Sequence, residues 1–363
     1  MTRALPPIDR IVIKVGTSSL ADERGVLDDV QVRGLATEIA AARRAGMRPT
    51  LVSSGAIAAG LEPLGLKRRP TDIPSLQAAA SVGQGILMHA YQRAFARRRI
   101  PVGQILLTQD DFVRRKSYLH AHNALERLLR MNAVPIVNEN DATAVDEIRF
   151  GDNDRLAALV SIMVHAKLLV VLSDIDGVYS ADPRRARGEP IHRIDDLSGL
   201  EQLRAGKRGS PLGSGGMASK VEAIRTAAHA GTAVIIANGR EPKVLRRLLR
   251  GEDLGSYFAP HRARGKHRKL WIQFTVNPRG RITVDDGARR ALVEGGKSLL
   301  PVGVTDVSGG FEVGDVVEVA TPDGIVFAKG ITSYGAKELP ALMGTSIRDG
   351  GREVIHRDSL AIL

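Results

Sequence analysis

Cysteine is absent from the chain. That excludes disulfides, thiolate metal sites and a cysteine nucleophile. Aromatic residues are scarce, at 4% against 43% hydrophobic residues overall, so Leu, Val, Ile and Ala must build the core. A long apolar run is missing too. The most apolar stretch, Leu156 to Leu172, is interrupted by His165 and Lys167. It reads as a helix followed by a buried strand and falls short of the ~20 apolar residues of a membrane span. Met1 to Asp9 holds two prolines and no apolar h-region, so no signal peptide is expected. The nine histidines show no metal-ligand spacing, and none stands beside a candidate serine nucleophile, which leaves a hydrolase triad without support. The expectation is a soluble, cytoplasmic protein.

What the chain does have is length for two domains and a net charge of +12 over 363 residues. The charge admits an anionic partner, but most of the basic residues are arginine, and solvated surface arginine explains the total equally well. Up to about Arg250, short apolar runs alternate with helical patterns. Ile11–Val15, Thr50–Ser53, Gln104–Thr108, Val134–Asn138, Leu168–Leu172 and Ala233–Ile236 read as strands. Val30–Arg44, Ser75–Arg98, Tyr118–Met131, Arg155–His165 and Ser219–Ala230 read as helices. The alternation predicts an α/β fold, a three-layer αβα sandwich on a mostly parallel sheet. The first domain is placed at residues 1–255. A basic linker follows at 256–275, with His261, Arg262, Arg264, Lys266, His267, Arg268 and Lys269. Residues 276–363 form a small β-rich domain, with strands at Arg281–Val284 and Val316–Val319; Trp271–Phe274 also reads as a strand.

Ligands of open α/β sheets bind at the carboxyl ends of the strands. Five polar clusters fall at such ends or at helix starts. Lys14-Val15-Gly16-Thr17-Ser18-Ser19 suits an oxyanion, since glycine lets backbone N–H groups approach and lysine adds charge; a plain strand-to-helix turn fits equally. Ser53-Ser54-Gly55-Ala56 can hold a carboxylate on N–H groups, or serve as an N-cap. Asn138-Glu139-Asn140-Asp141 with Gly151-Asp152-Asn153-Asp154 concentrates acids and amides beyond what caps require. Ser173-Asp174-Ile175-Asp176-Gly177, with Asp182-Pro183 beyond, can hold a nucleotide base and ribose, or form a turn. Gly213-Ser214-Gly215-Gly216-Met217-Ala218-Ser219-Lys220 is a flexible glycine run ending on lysine at a helix start. Gly213, Gly215 and Ala218 match the G-x-G-x-x-A spacing, but loop rather than strand precedes them, and Gly-Lys-Ser/Thr is absent, so neither a dinucleotide fingerprint nor a Walker A loop is supported.

In this order, the five clusters resemble the amino-acid kinase family, specifically its glutamate-phosphorylating branch. The tail resembles a PUA domain, a small β-barrel-like module of RNA-binding type, through Val284-Asp285-Asp286-Gly287-Ala288, Ser298–Gly303 and Gly309–Asp315. Ser173 and Ser214 stand where the family more often has threonine, and both keep the hydroxyl. The resemblance implies transfer of the γ-phosphate of ATP, carried with Mg²⁺, to the γ-carboxylate of L-glutamate, the first step of proline synthesis. It implies a catalytic set of Lys14, Lys220 and Asp154, the lysines contacting the transferring phosphoryl group and the aspartate orienting them. Ser54, Gly55, Asp141 and Asn153 would hold glutamate. Lys14, Gly16, Ser173, Asp174, Ser214, Gly215, Gly216, Met217, Ala218, Ser219 and Lys220 would hold ATP, with no protein ligand assigned to the metal. A homo-oligomer, dimer or tetramer, and feedback inhibition by proline are implied as well. Related acceptors (N-acetylglutamate, aspartate, carbamate) stay open, as does RNA binding through the tail.

Overall fold

The structure, a computed structural model, describes residues 3, 5–22, 26–143, 153–179, 190–195, 216–261, 269, 272, 278–345 and 352–363. The chain divides into two compact units, Met1–Ala263 and Arg264–Leu363.

The first unit carries β1 (Arg10–Val15), α1 (Asp29–Arg44), β2 (Arg48–Ser53), α2 (Ala56–Leu61), α3 (Ile73–Ala96), β3 (Val102–Leu107), α4 (Gln109–Val113), α5 (Arg115–Arg130), β4 (Val134–Glu139), α6 (Asn153–Met163) and β5 (Leu168–Ser173). It continues with β6 (Val178–Tyr179), β7 (Pro190–Ile191), β8 (Arg193–Ile194), α7 (Gly216–His229), β9 (Ala233–Asn238), α8 (Val244–Leu249) and β10 (Ser256–Phe258). Eight strands form one sheet in the order β3-β4-β2-β1-β5-β9-β10-β8, and only the β10–β9 pairing is antiparallel. β6 and β7 pair antiparallel as a separate two-stranded sheet.

Strand side chains alternate between faces, and each face has its own core. Ile11, Ile13 and Val15 of β1 pack with Ile39 of α1, Tyr91 and Phe95 of α3 and Leu245 of α8. Val12 packs on the other side with Leu125 of α5, Leu159 of α6 and Ile224 of α7. This is the expected three-layer arrangement. Helix ends follow local chemistry. Asp28 caps α1 by accepting from the Val30 N–H, and Asp72 caps α3 by accepting from the Ser75 N–H, with Pro74 in its first turn. α3 therefore starts two residues earlier than its hydrophobic period indicates.

Residues 256–258, assigned to the linker from sequence, form β10 and pair with β9. The basic linker's remaining charged stretch, residues 262–268, lies outside the described residues, as do Asp182-Pro183. Ile272, read from sequence as strand, is helical and buried; its β-branched, aromatic-flanked context misled, because burial rather than propensity decides such positions. Among the described residues no helix is long and apolar enough to cross a membrane.

The second unit holds β11 (Gly280–Val284), α9 (Asp286–Val293), β12 (Val304–Gly309), β13 (Val316–Ala320), β14 (Val326–Ile331) and β15 (Leu360–Ile362). They form a five-stranded mixed sheet in the order β12-β11-β13-β14-β15. Its core is separate: Ile282, Val284, Leu292, Val317, Val319 and Leu360 are buried together. Asp285 caps α9 through the Ala288 N–H at 2.7 Å.

Candidate active site

The carboxyl ends of the central parallel strands carry the clusters picked out from sequence. Lys14 lies on the same face of β1 as Val12, toward α6 and α7. Asp154 sits in the first turn of α6, where the helix dipole favours a carboxylate. Lys220 lies in the second turn of α7, which packs against α6.

These three side chains meet. Lys14 Nζ is 2.7 Å from Asp154 Oδ1, and Lys220 Nζ is 2.8 Å from Asp154 Oδ2. The aspartate side chain is 0% exposed and the lysines 3% and 10%. Burying two ammoniums around one carboxylate is a poor way to stabilise a fold, since desolvation opposes the Coulombic gain. It is a good way to hold two cations beside a place where an anion reacts.

On the neighbouring strand end, Ser54 N–H donates to the Val15 carbonyl at 3.1 Å, and Gly16 N–H donates to the Leu172 carbonyl at 3.2 Å. The carboxyl ends of β1, β2 and β5 are thereby tied together. Gly55 takes φ 104° at the start of α2, a conformation that favours glycine. Asn153 Nδ2 lies 2.9 Å from Ser54 Oγ, the Ser53 carbonyl and Asn138 Oδ1. Ser53 Oγ also meets the buried Tyr91 hydroxyl at 2.8 Å. Burial pushes the Tyr91 phenol up, against the hydrogen bond from Ser53, so it stays protonated. Asp141 lines a cavity of about 270 Å³ beyond β4, together with Ala56, Gln84 and Asn140.

On the other side of β1, Ser173 Oγ donates to Asp174 Oδ1 at 3.0 Å, and Gly239 N–H donates to the Ser173 carbonyl at 2.7 Å. A Cβ on Gly239 would lie 2.5 Å from Ser19 Oγ, so close approach of these loops requires glycine there. Asn238 Nδ2 donates to Asp176 Oδ1 at 2.8 Å. Arg240 donates to the Ser18 carbonyl at 3.1 Å.

The candidate residues thus fall into a clamp (Lys14, Asp154, Lys220), a set on the β2 side (Ser54, Gly55, Asn153), with Asp141 in the cavity beyond β4, and a set on the β5 side (Gly16, Ser173, Asp174). Ser214 and Gly215 lie outside the described residues. Gly216, Met217, Ala218 and Ser219 are helical backbone in α7, not loop. Glycine at a helix start misleads a reading based on propensity alone. Two polar groups went unnoticed in sequence. Asn238 ends β9 as the other clusters end their strands, and the strand-end rule applied to β9 would have found it. Gln84 sits in the middle of α3 and carries no local signal.

Comparison with known proteins agrees with the fold. The model of the amino acid kinase family matches residues 9–238, and that of the PUA domain matches residues 280–349. A glutamate 5-kinase of Streptomyces coelicolor is 50% identical over 365 residues, spanning 98% of this chain and 96% of that one. A glutamate 5-kinase of Geobacter sp. strain M21 is 42% identical over 368 residues, spanning 99% of each. Among solved structures, carbamate kinase from Giardia lamblia bound to AMP-PNP has the same fold, with a TM-score of 0.53 at 17% identity over 70% of this chain and 99% of that one. The chain belongs to the amino acid kinase family.

Proposed function

We propose that this chain transfers the γ-phosphoryl group of ATP to the γ-carboxylate of L-glutamate, giving L-glutamyl 5-phosphate and ADP, the first step of proline synthesis in the cytoplasm. The observation that carries this reading is the buried bridge of Asp154 between Lys14 and Lys220. The near-full-length likeness to two glutamate 5-kinases supports the choice of acceptor.

A carboxylate is already an anionic nucleophile at neutral pH, so the reaction needs no general base. A γ-carboxylate oxygen attacks the γ-phosphorus in line, the bond to the bridging β,γ-oxygen breaks, and ADP carries its electrons away. The obstacle is repulsion between two anions, so catalysis reduces to positioning and charge neutralisation. Lys14 and Lys220 supply positive charge to the transferring group. Asp154 is a positioning residue that holds both ammoniums in place. Ser54, Gly55, Asn153 and Asp141 hold glutamate. Gly16, Ser173, Asp174 and the segment Ser214 to Lys220 hold ATP. Magnesium would accompany the nucleotide, and no protein ligand is assigned to it; both oxygens of Asp154 are engaged by lysine. When bound, it neutralises the triphosphate.

The test offers glutamate, aspartate, N-acetylglutamate and carbamate in turn with ATP, following ADP release and hydroxamate trapping of the acyl phosphate. Glutamate is expected to be the preferred acceptor. Product from aspartate or N-acetylglutamate, with none from glutamate, overturns the assignment. The same assay with proline present tests it as feedback inhibitor, and sedimentation tests a dimer or tetramer.

RNA as a second partner is favoured by the PUA match and the net charge of +12. Fold alone does not assign function. Binding whose affinity falls steeply with salt in log–log form would support it, and no retention of RNA at low salt would dismiss it.

A further inference from the structure

A hydrogen-bond relay runs to the cavity beyond β4, and its last donor is unused. Glu139 N–H donates to Asn138 Oδ1 at 2.9 Å, and Asn153 Nδ2 lies at the same distance from that atom. A backbone N–H can only donate, so this end of the Asn138 amide is its oxygen. The Asn138 nitrogen must then be the donor to Gln84 Oε1, at 2.9 Å. Gln84 is left with its NH₂ facing elsewhere. That nitrogen is buried and has no hydrogen-bond partner among the described residues, while the side chain lines the cavity that also contains Asp141. A buried donor without a partner is costly, and pairing it on binding recovers that cost.

Position within the sheet says which part of a ligand meets it. Gln84 is anchored through Asn138 on β4, and the strand order β4-β2-β1 puts β2 between it and the strand that carries Lys14. An acceptor with its reactive carboxylate at the clamp places its other end at β4. For glutamate that end has an ammonium, matched by Asp141, and a second carboxylate, which requires a donor. We infer that Gln84 Nε2 donates to the α-carboxylate of the substrate and is a specificity-determining residue for the acceptor. The inference rests on the glutamate reading above.

Gln84→Glu is the informative variant. It keeps the oxygen that Asn138 donates to, so the relay survives, and it replaces the donor with an anionic acceptor. Expected is a rise in the KM for glutamate on the order of 10- to 100-fold, the scale of a hydrogen bond to a charged group, with the KM for ATP and the Tm unchanged. L-isoglutamine, whose α-carboxylate is an amide, should lose far less on this substitution than glutamate does. A Gln84→Leu protein, which loses both bonds, should also show the raised KM, so a misfolded Gln84→Glu chain does not end the test. An active wild type with an unaltered glutamate KM in a folded Gln84→Glu variant overturns the inference alone. Equal losses for glutamate and isoglutamine overturn the α-carboxylate assignment. A wild type inactive on glutamate overturns the substrate reading, and this inference with it.

Discussion

At the scale of single residues, Asp154 decides what the lysines can do. Two ammoniums packed side by side would repel each other. A carboxylate between them at 2.7 and 2.8 Å offsets that repulsion and fixes both side chains. Lys14→Ala should therefore lower kcat on the order of 10²–10³-fold in a folded protein, the loss of one preorganised charge-stabilising group; circular dichroism and steady-state kinetics check this together. Asp154→Asn should do more, lowering kcat and also destabilising the fold by about 3–5 kcal/mol, because two buried ammoniums lose their counter-charge; urea denaturation measures the second effect. Residue pattern alone did not give this pairing. Lys14 and Lys220 also fitted an ordinary turn and helix start, Asp154 stood in a cluster richer in acids and amides than caps require, and only the family likeness joined the three. Gln84 was less visible still, since a polar residue in the middle of a helix is normally a solvated one.

At the scale of elements, the pocket wall depends on how closely α2 and α3 pack. A Cβ on Gly60 would lie 1.9 Å from the Ala79 carbonyl oxygen, and one on Gly83 would lie 1.8 Å from the Ala56 carbonyl oxygen. The helix backbones touch, and no side chain fits between them. Gly83→Ala should lower stability by about 1–3 kcal/mol or more, as overpacking does, and should raise the KM for glutamate, because α2 begins immediately after Ser54 and Gly55. Gly34→Ala on the exposed face of α1 meets nothing within 4 Å and should stabilise by about 0.5–1 kcal/mol. Thermal unfolding of the two variants, measured side by side, distinguishes contact from propensity. The elements themselves were largely legible. The runs Ile11–Val15 and Leu168–Leu172 could only be buried strands, and α1 followed from its apolar period. Apart from Ile272, read as strand but helical, the errors named above fell at ends: Asn153 and Asp154 lie inside α6 rather than before it, since capping and tertiary contacts set ends that periodicity does not see.

At the scale of the whole molecule, the two units own separate cores. Ile282 is fully buried in the second one. Ile282→Ala should cost that unit about 2–5 kcal/mol while leaving kcat for glutamate unchanged, which calorimetry combined with an activity assay would show. A lowered kcat would mean that the tail contributes to catalysis. Length pointed to two domains, and the short strands separated by Gly, Asp and Pro pointed to a β-rich tail. The boundary was harder to place, because β10 is only three residues long and too brief for any sequence pattern.

The register of the central strands has a kinetic consequence. Lys14 pairs with Val171 across β1 and β5, and Asp154 and Lys220 are 66 residues apart. The clamp exists only after parallel strands distant in the chain have docked with α6 and α7. Such long-range pairings form late, because chain entropy is lost before the contacts repay it. On dilution from denaturant, helicity should return well before phosphoryl transfer does. A burst of kinase activity matching the early helical signal would show that the clamp forms from local structure alone.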